Sequence, residues 1–211
     1  MSKVIDLIPQ KYKDELGTLI GGYEGISGYN PLTKKYYPVQ EKADKKGDIT
    51  IGRGHLLTEN DKKTNRFKHG LTLTEVNNLF AEDLSSRAEH VYHNILEIKD
   101  PTTVNWQLFI GILSSYFNCP SAWNTTSSPY RYLKENKLTK MCSYLILYTR
   151  SNGEDQYGLF RRRCTEALYI LKGLILFGNK DFKQEQRLYD ELRKYIKFSL
   201  TKYSDLRKGI K

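Results

Sequence analysis

Apolar residues recur along this chain with two different periods, and the change of period divides it. Val76, Phe80, Leu84, Ala88, Val91 and Ile95 follow one another at three- and four-residue steps, one apolar stripe on a long amphipathic helix. Thr72-Leu73-Thr74-Glu75 just before it fits a capping box, with Thr72 as N-cap. Val104 to Phe117 is apolar on nearly all sides and predicts a buried central helix. Further helices are predicted over Pro9 to Gly22, from about Tyr130 to Glu135, over Leu138 to Thr149 and over Leu159 to Phe177. A basic amphipathic helix follows from Asp181 to about Tyr203. Asp100-Pro101, Cys119-Pro120, the polar run Asn124 to Pro129 and Ser151-Asn152-Gly153-Glu154 punctuate them. The period shortens to two at Ile49-Thr50-Ile51. Gly47-Asp48 before it reads as a turn, and Gly52 and Gly54 after it mark a bend or a place where backbone and ligand approach closely. Residues 25–66 therefore form a hairpin lobe rich in Gly, Tyr and Lys, beside a mainly helical remainder.

Composition narrows the class. The chain has 211 residues, 39% of them hydrophobic, enough for one core or for a small and a larger lobe. Three cysteines cannot all pair, and none shares a metal-like spacing with the four histidines, so free thiols and no metal are expected. Neither a signal peptide nor a membrane span is evident, which predicts synthesis in a cytoplasm and a need for release to reach any target outside it. The net charge is +10. Residues 178–211 supply ten Lys/Arg against five Asp/Glu, half of that excess. This tail reads as a solvated helix face or as an element attracted to anionic envelope polymers. No nucleic-acid reader motif accompanies the charge, and no nucleic-acid partner is expected.

The candidate chemistry gathers around Asp44 to His55 and Glu24. A carboxylate at the start of a hairpin and a hydroxyl on its returning strand can face one cleft. Glu24 follows the apolar Leu19, Ile20 and Tyr23, where partial burial would raise its pKa and keep a proton available. Splitting a glycosidic bond asks for two such carboxyl groups in different protonation states.

Four segments, in order, carry a resemblance. Tyr23-Glu24-Gly25, then Asp44, Gly47, Thr50-Ile51-Gly52 and Gly54-His55, then Ser115-Tyr116-Phe117-Asn118, then Gly158-Leu159-Phe160-Arg161-Arg162-Arg163-Cys164-Thr165-Glu166 resemble the phage-type lysozymes, glycoside hydrolase family 24. The likeness runs from about Leu16 to Leu171 within a single domain spanning 1–211. It implies an α+β, lysozyme-like two-lobed fold whose lobes are joined by the long helix. It also implies a monomeric muramidase that hydrolyses the β-1,4 bond between N-acetylmuramic acid and N-acetylglucosamine in peptidoglycan, with no cofactor.

By position, Glu24 is then the general acid, Asp44 the second carboxylate and Thr50 the residue that helps to place the attacking water. His55 reads as a hydrogen-bonder near Glu24. Asn118 contacts substrate or closes its helix. One of Arg161 to Arg163 pairs with Glu166 or with a helix C-terminal carbonyl, and another packs near the cleft floor. Nineteen residues, Gly25 to Ala43, separate Glu24 from Asp44, more than the family usually has. They look like an inserted loop that supplies Tyr29, Tyr36 or Tyr37 for sugar contact, and they leave Glu41 and Asp48 as alternative second carboxylates. A non-catalytic wall-binding or tail-assembly protein keeping the same fold is the competing reading.

Overall fold

A computed structural model of the chain describes residues 3–21, 25–40, 48–151, 154–176 and 182–197. Its elements run α1 (Val4–Leu7), α2 (Gln10–Gly21), β1 (Tyr29–Asn30), β2 (Lys35–Tyr36), β3 (Val39–Gln40), β4 (Ile49–Ile51), β5 (His55–Leu56), α3 (Glu59–Thr64) and α4 (Leu73–His90). They continue with α5 (Trp106–Asn118), α6 (Ser128–Lys134), α7 (Leu138–Leu145), β6 (Arg150–Ser151), β7 (Glu154–Asp155), α8 (Tyr157–Leu176) and α9 (Phe182–Lys197). This is an α+β fold, rich in helices with small antiparallel sheets. It divides into two compact units, Ile20–Ser86 and Met1–Leu19 with Arg87–Lys211.

In the smaller unit β3, β4 and β5 form an antiparallel sheet with β4 in the middle. Val39 lies opposite Thr50, Thr50 opposite Leu56, and Ile51 opposite His55. Because side chains alternate along a strand, Val39, Thr50 and Leu56 share one face while Ile49, Ile51 and His55 share the other. Ile51 is fully buried against Phe67 and Leu79, so the second face is the core side. The β4–β5 turn works only with glycine: Gly52 and Gly54 have φ of +63° and +80°. A Cβ on Gly52 would meet the Val76 side chain at 2.9 Å.

The capping box forms as predicted. The N–H and hydroxyl of Thr72 donate to Glu75 Oε2 at 2.7 and 2.8 Å, and the Glu75 N–H donates to Thr72 Oγ1 at 3.3 Å. After α4 the helix continues as a π turn, Val91–Ile95, in which the Leu96 N–H reaches back to Val91 O at 2.8 Å. The extra residue in that turn lets Val91, Tyr92 and Ile95 all be buried.

The larger unit is built around α5. Asn105 caps it, accepting from the Leu108 N–H at 3.0 Å. Phe109, Ile110, Ile112 and Leu113 have no exposed surface, which fits an all-round apolar helix. Helix α8 packs on it closely because Gly111 leaves room for Ile170, whose side chain would lie 2.3 Å from a Cβ there.

Several boundaries depart from the sequence reading. Helix α1 has no periodic signature and was not anticipated. Helix α6 starts at Ser128 because Ser127 caps it, accepting from the Tyr130 N–H at 3.2 Å. Helix α7 stops at Leu145 rather than Thr149. Hydrogen bonds from Leu147 to Tyr144 and from Tyr148 to Leu145 tighten its end, and the chain then enters the β6–β7 pair.

Candidate active site

Thr50 sits at the centre of the three-stranded sheet, half-buried, on the face turned away from the Ile51 core. Its neighbours on that face are Val39 and the exposed Leu56. Asp48 is exposed just before β4, and its charge is felt by Lys62. Glu24, Asp44 and Glu41 lie outside the described residues. Tyr37 is half-buried against Gly70, whose φ of +65° and missing Cβ make room for its ring.

His55 emerges on the core side of the sheet, and its ring is gripped at both nitrogens. Nδ1 lies 2.9 Å from Asp83 Oδ2, and Nε2 lies 3.6 Å from Asp61 Oδ2 without a hydrogen bond among the described residues. Phe67 meets the ring edge-on, with centroids 5.6 Å apart. The hydrogen bond to Asp83 raises the His55 pKa against the opposing effect of burial. Asp61 is held in turn by Thr58. The hydroxyl and N–H of Thr58 donate to Asp61 Oδ2 at 2.5 and 2.9 Å, and Arg66 Nη1 donates to Oδ1 at 3.3 Å. These donors, the Thr58 hydroxyl foremost, lower the Asp61 pKa to about 2. With its ring fixed between two carboxylates, His55 is suited to hold a position rather than to shuttle protons.

Asp83 and Asp61 are partners that the sequence reading missed. Thr58-Glu59-Asn60-Asp61 carried a usable signal, since Thr58 and Asp61 form the capping box of α3. Asp83 carried none, because it meets His55 across 28 residues of sequence.

In the larger unit the Arg-Arg block of α8 closes on the end of α5. Glu166 is fully buried and takes both neighbouring arginines, where one had been expected. Arg162 Nε and Arg163 Nε lie 3.2 and 3.1 Å from its two carboxylate oxygens. The Ser114 hydroxyl donates to it as well, at 2.8 Å. Burial raises the Glu166 pKa, and the guanidiniums, Arg163 first, pull it back. Arg163 also donates to Ser115 O at 3.1 Å and to Asn118 Oδ1 at 2.9 Å. Arg161 instead stays exposed, its guanidinium 5.9 Å from the Tyr157 ring. Asn118 is thus the exposed end of an otherwise buried polar network.

Cys119 is half-buried, Cys142 and Cys164 are buried, and all three are free thiols. Among the described residues there is no cluster of His, Cys, Asp and Glu suited to a metal ion, and no helix is long and apolar enough to cross a membrane.

The small sheet with its glycine turn, the long helix and the buried α5–α8 pair define a lysozyme-like fold. The chain belongs to the phage lysozyme family, whose model matches residues 35–166, more than half of it. That span includes Asp44, Thr50, His55, Asn118 and Glu166, while Glu24 precedes it.

Two solved structures share the fold. The muramidase domain of SpmX from Asticaccaulis excentricus is 23% identical, with a TM-score of 0.52 over 78% of this chain and 97% of that one. The active form of the P1 phage endolysin Lyz is 18% identical, with a TM-score of 0.52 over 82% and 96%. No curated protein sequence matches the chain.

Proposed function

We propose that this protein is a muramidase that hydrolyses the β-1,4 bond between N-acetylmuramic acid and N-acetylglucosamine in peptidoglycan. Membership of the phage lysozyme family supports the glycoside hydrolase class and its wall substrate. The observation that carries the residue-level reading is the placement of Thr50 in the family-matched span: at mid-sheet, on the face away from the core, six positions after Asp44 in the sequence. In this reading Glu24 protonates the leaving oxygen, and Asp44 together with the Thr50 hydroxyl holds a water for attack on the opposite face of the sugar. The product then has inverted configuration, and the carboxyl groups are roughly 6.5–9.5 Å apart to leave room for that water. His55, on the core face of the sheet, serves by holding the hairpin in place through Asp83.

The test is clearing of purified peptidoglycan by wild type, Glu24→Gln, Asp44→Asn and Thr50→Ala, with mass analysis of the released sugars. Wild type should release reducing-end muramic acid, and Glu24→Gln, still folded, should lose at least about a hundredfold in rate. Release of anhydro-muramic ends would make the protein a lytic transglycosylase. Binding without release would reduce it to a wall-binding protein.

A further inference from the structure

Residues 25–40, most of the inserted segment, form an arm tied down by hydrogen bonds. The Ser27 N–H donates to Gly52 O at 2.9 Å, the Tyr37 N–H donates to Gly28 O at 2.8 Å, and Tyr36 and Leu71 exchange two backbone hydrogen bonds of 2.8 Å. Gly28, at φ +83°, sits so close to Tyr37 that a Cβ would lie 2.0 Å from its carbonyl oxygen. Asn30 Oδ1 pins the tip by accepting from the Leu32 N–H at 2.9 Å, and Lys35 Nζ ties the returning strand to His69 O at 3.1 Å.

Register then aligns three side chains on neighbouring rungs, Tyr29 opposite Tyr36 and Tyr36 opposite Leu71. They climb out of the core. Leu71 packs on the Ile51, Phe67 and Leu79 cluster, Tyr36 is half-buried, and Tyr29 is 54% exposed. The two tyrosine rings have centroids 5.1 Å apart and are tilted by 48°.

We propose that Tyr29 and Tyr36 form a saccharide platform that grips a stretch of the glycan strand beyond the bond being cut, on the reading that peptidoglycan is the substrate. Tyr36 packs against the Tyr29 ring and holds it in place, and the exposed Tyr29 face is an apolar surface on which the C–H face of a sugar can pack. Because the arm is already ordered, binding need not freeze a loose loop. Lys34, exposed at the turn with φ +54°, places a cation beside the platform for the carboxylates that muramyl residues and their stem peptides carry. A bilayer would ask for several aliphatic side chains at the tip, and only Leu32, 92% exposed, is there.

The test measures co-sedimentation with insoluble peptidoglycan for Tyr29→Ala and Tyr29→Trp in a Glu24→Gln background, beside KM and kcat for Tyr29→Ala alone. Tyr29→Ala should bind wall about fivefold more weakly and raise KM with kcat little changed, and Tyr29→Trp should restore binding. Wall binding of Tyr29→Ala equal to its parent overturns the platform. So does binding to anionic phospholipid vesicles that depends on Leu32 while wall binding ignores Tyr29. The two readings fail separately. A wild type that releases no sugar while Tyr29→Ala loses wall binding sinks the hydrolase and leaves the platform standing. Normal hydrolysis with an unchanged KM in Tyr29→Ala does the reverse.

Discussion

Arg163 donates from Nη2 to Asn118 Oδ1 at 2.9 Å, so the exposed amide at the end of α5 is held by a guanidinium with no exposed surface of its own. The same guanidinium reaches Ser115 O and the carboxylate of Glu166. Removing one partner of a buried ion pair strands the other, and that usually costs more than the pair contributes. Arg163→Ala should therefore lower stability by about 3–5 kcal/mol, whereas Asn118→Ala should cost only about 1 kcal/mol. Urea unfolding of the two variants checks this, and equal costs would contradict it.

The His55–Asp83 contact predicts a pH dependence of stability. Asp83 raises the folded-state pKa of His55, so the contribution is complete below about pH 6.5, the unfolded value, and is lost as pH rises through the folded value. Asp83→Asn should flatten the stability profile in that window, as read by thermal melts from pH 5 to 9.

Asp61 acts with the opposite sign. Its folded pKa of about 2 lies below the ordinary 3.8 of an unfolded aspartate, so it stabilises above 3.8 and that contribution disappears as pH falls towards 2. Asp61→Asn should be less stable at neutral pH and should lose the part of acid unfolding that falls in this range.

Two glycines should respond in opposite directions to alanine. Gly17 lies mid-helix in α2 with nothing within 4 Å of a Cβ, so Gly17→Ala should stabilise by about 0.5–1 kcal/mol. Gly52→Ala must adopt a left-handed backbone and displace Val76, which should cost about 2 kcal/mol or more. Melting temperatures of both variants measure the contrast.

Thiol reactivity should separate the cysteines. Burial pushes the Cys164 thiol up to about 12, and Cys142 is fully buried, whereas Cys119 is half-buried beside Ser121. A thiol reagent should modify Cys119 in the native protein and all three cysteines once it is unfolded.

Local signals are legible in the sequence, and contacts made over distance are not. Thr72 and Glu75, the apolar run of α5 and the glycines after Ile51 each act within a few residues, so their spacing reveals them. The π turn after α4 is set by what Tyr92 and Ile95 must pack against, which no periodicity contains. The same holds for the candidate site. Thr50 and His55 stand out through the hairpin pattern together with the family resemblance, but the Asp83 that orients His55 and the second arginine on Glu166 emerge only when distant elements pack.

The hydroxyl of Tyr169, on α8, donates to Glu15, on α2. The two residues are 154 positions apart, so the helix that leads towards Glu24 gains this anchor only after the whole family-matched span has been made. During synthesis that helix must wait, since an isolated helix of 12 residues is marginal in water. A ribosome-bound fragment that ends before α8 therefore lacks the anchored α2, and the fixing of that helix arrives late in translation.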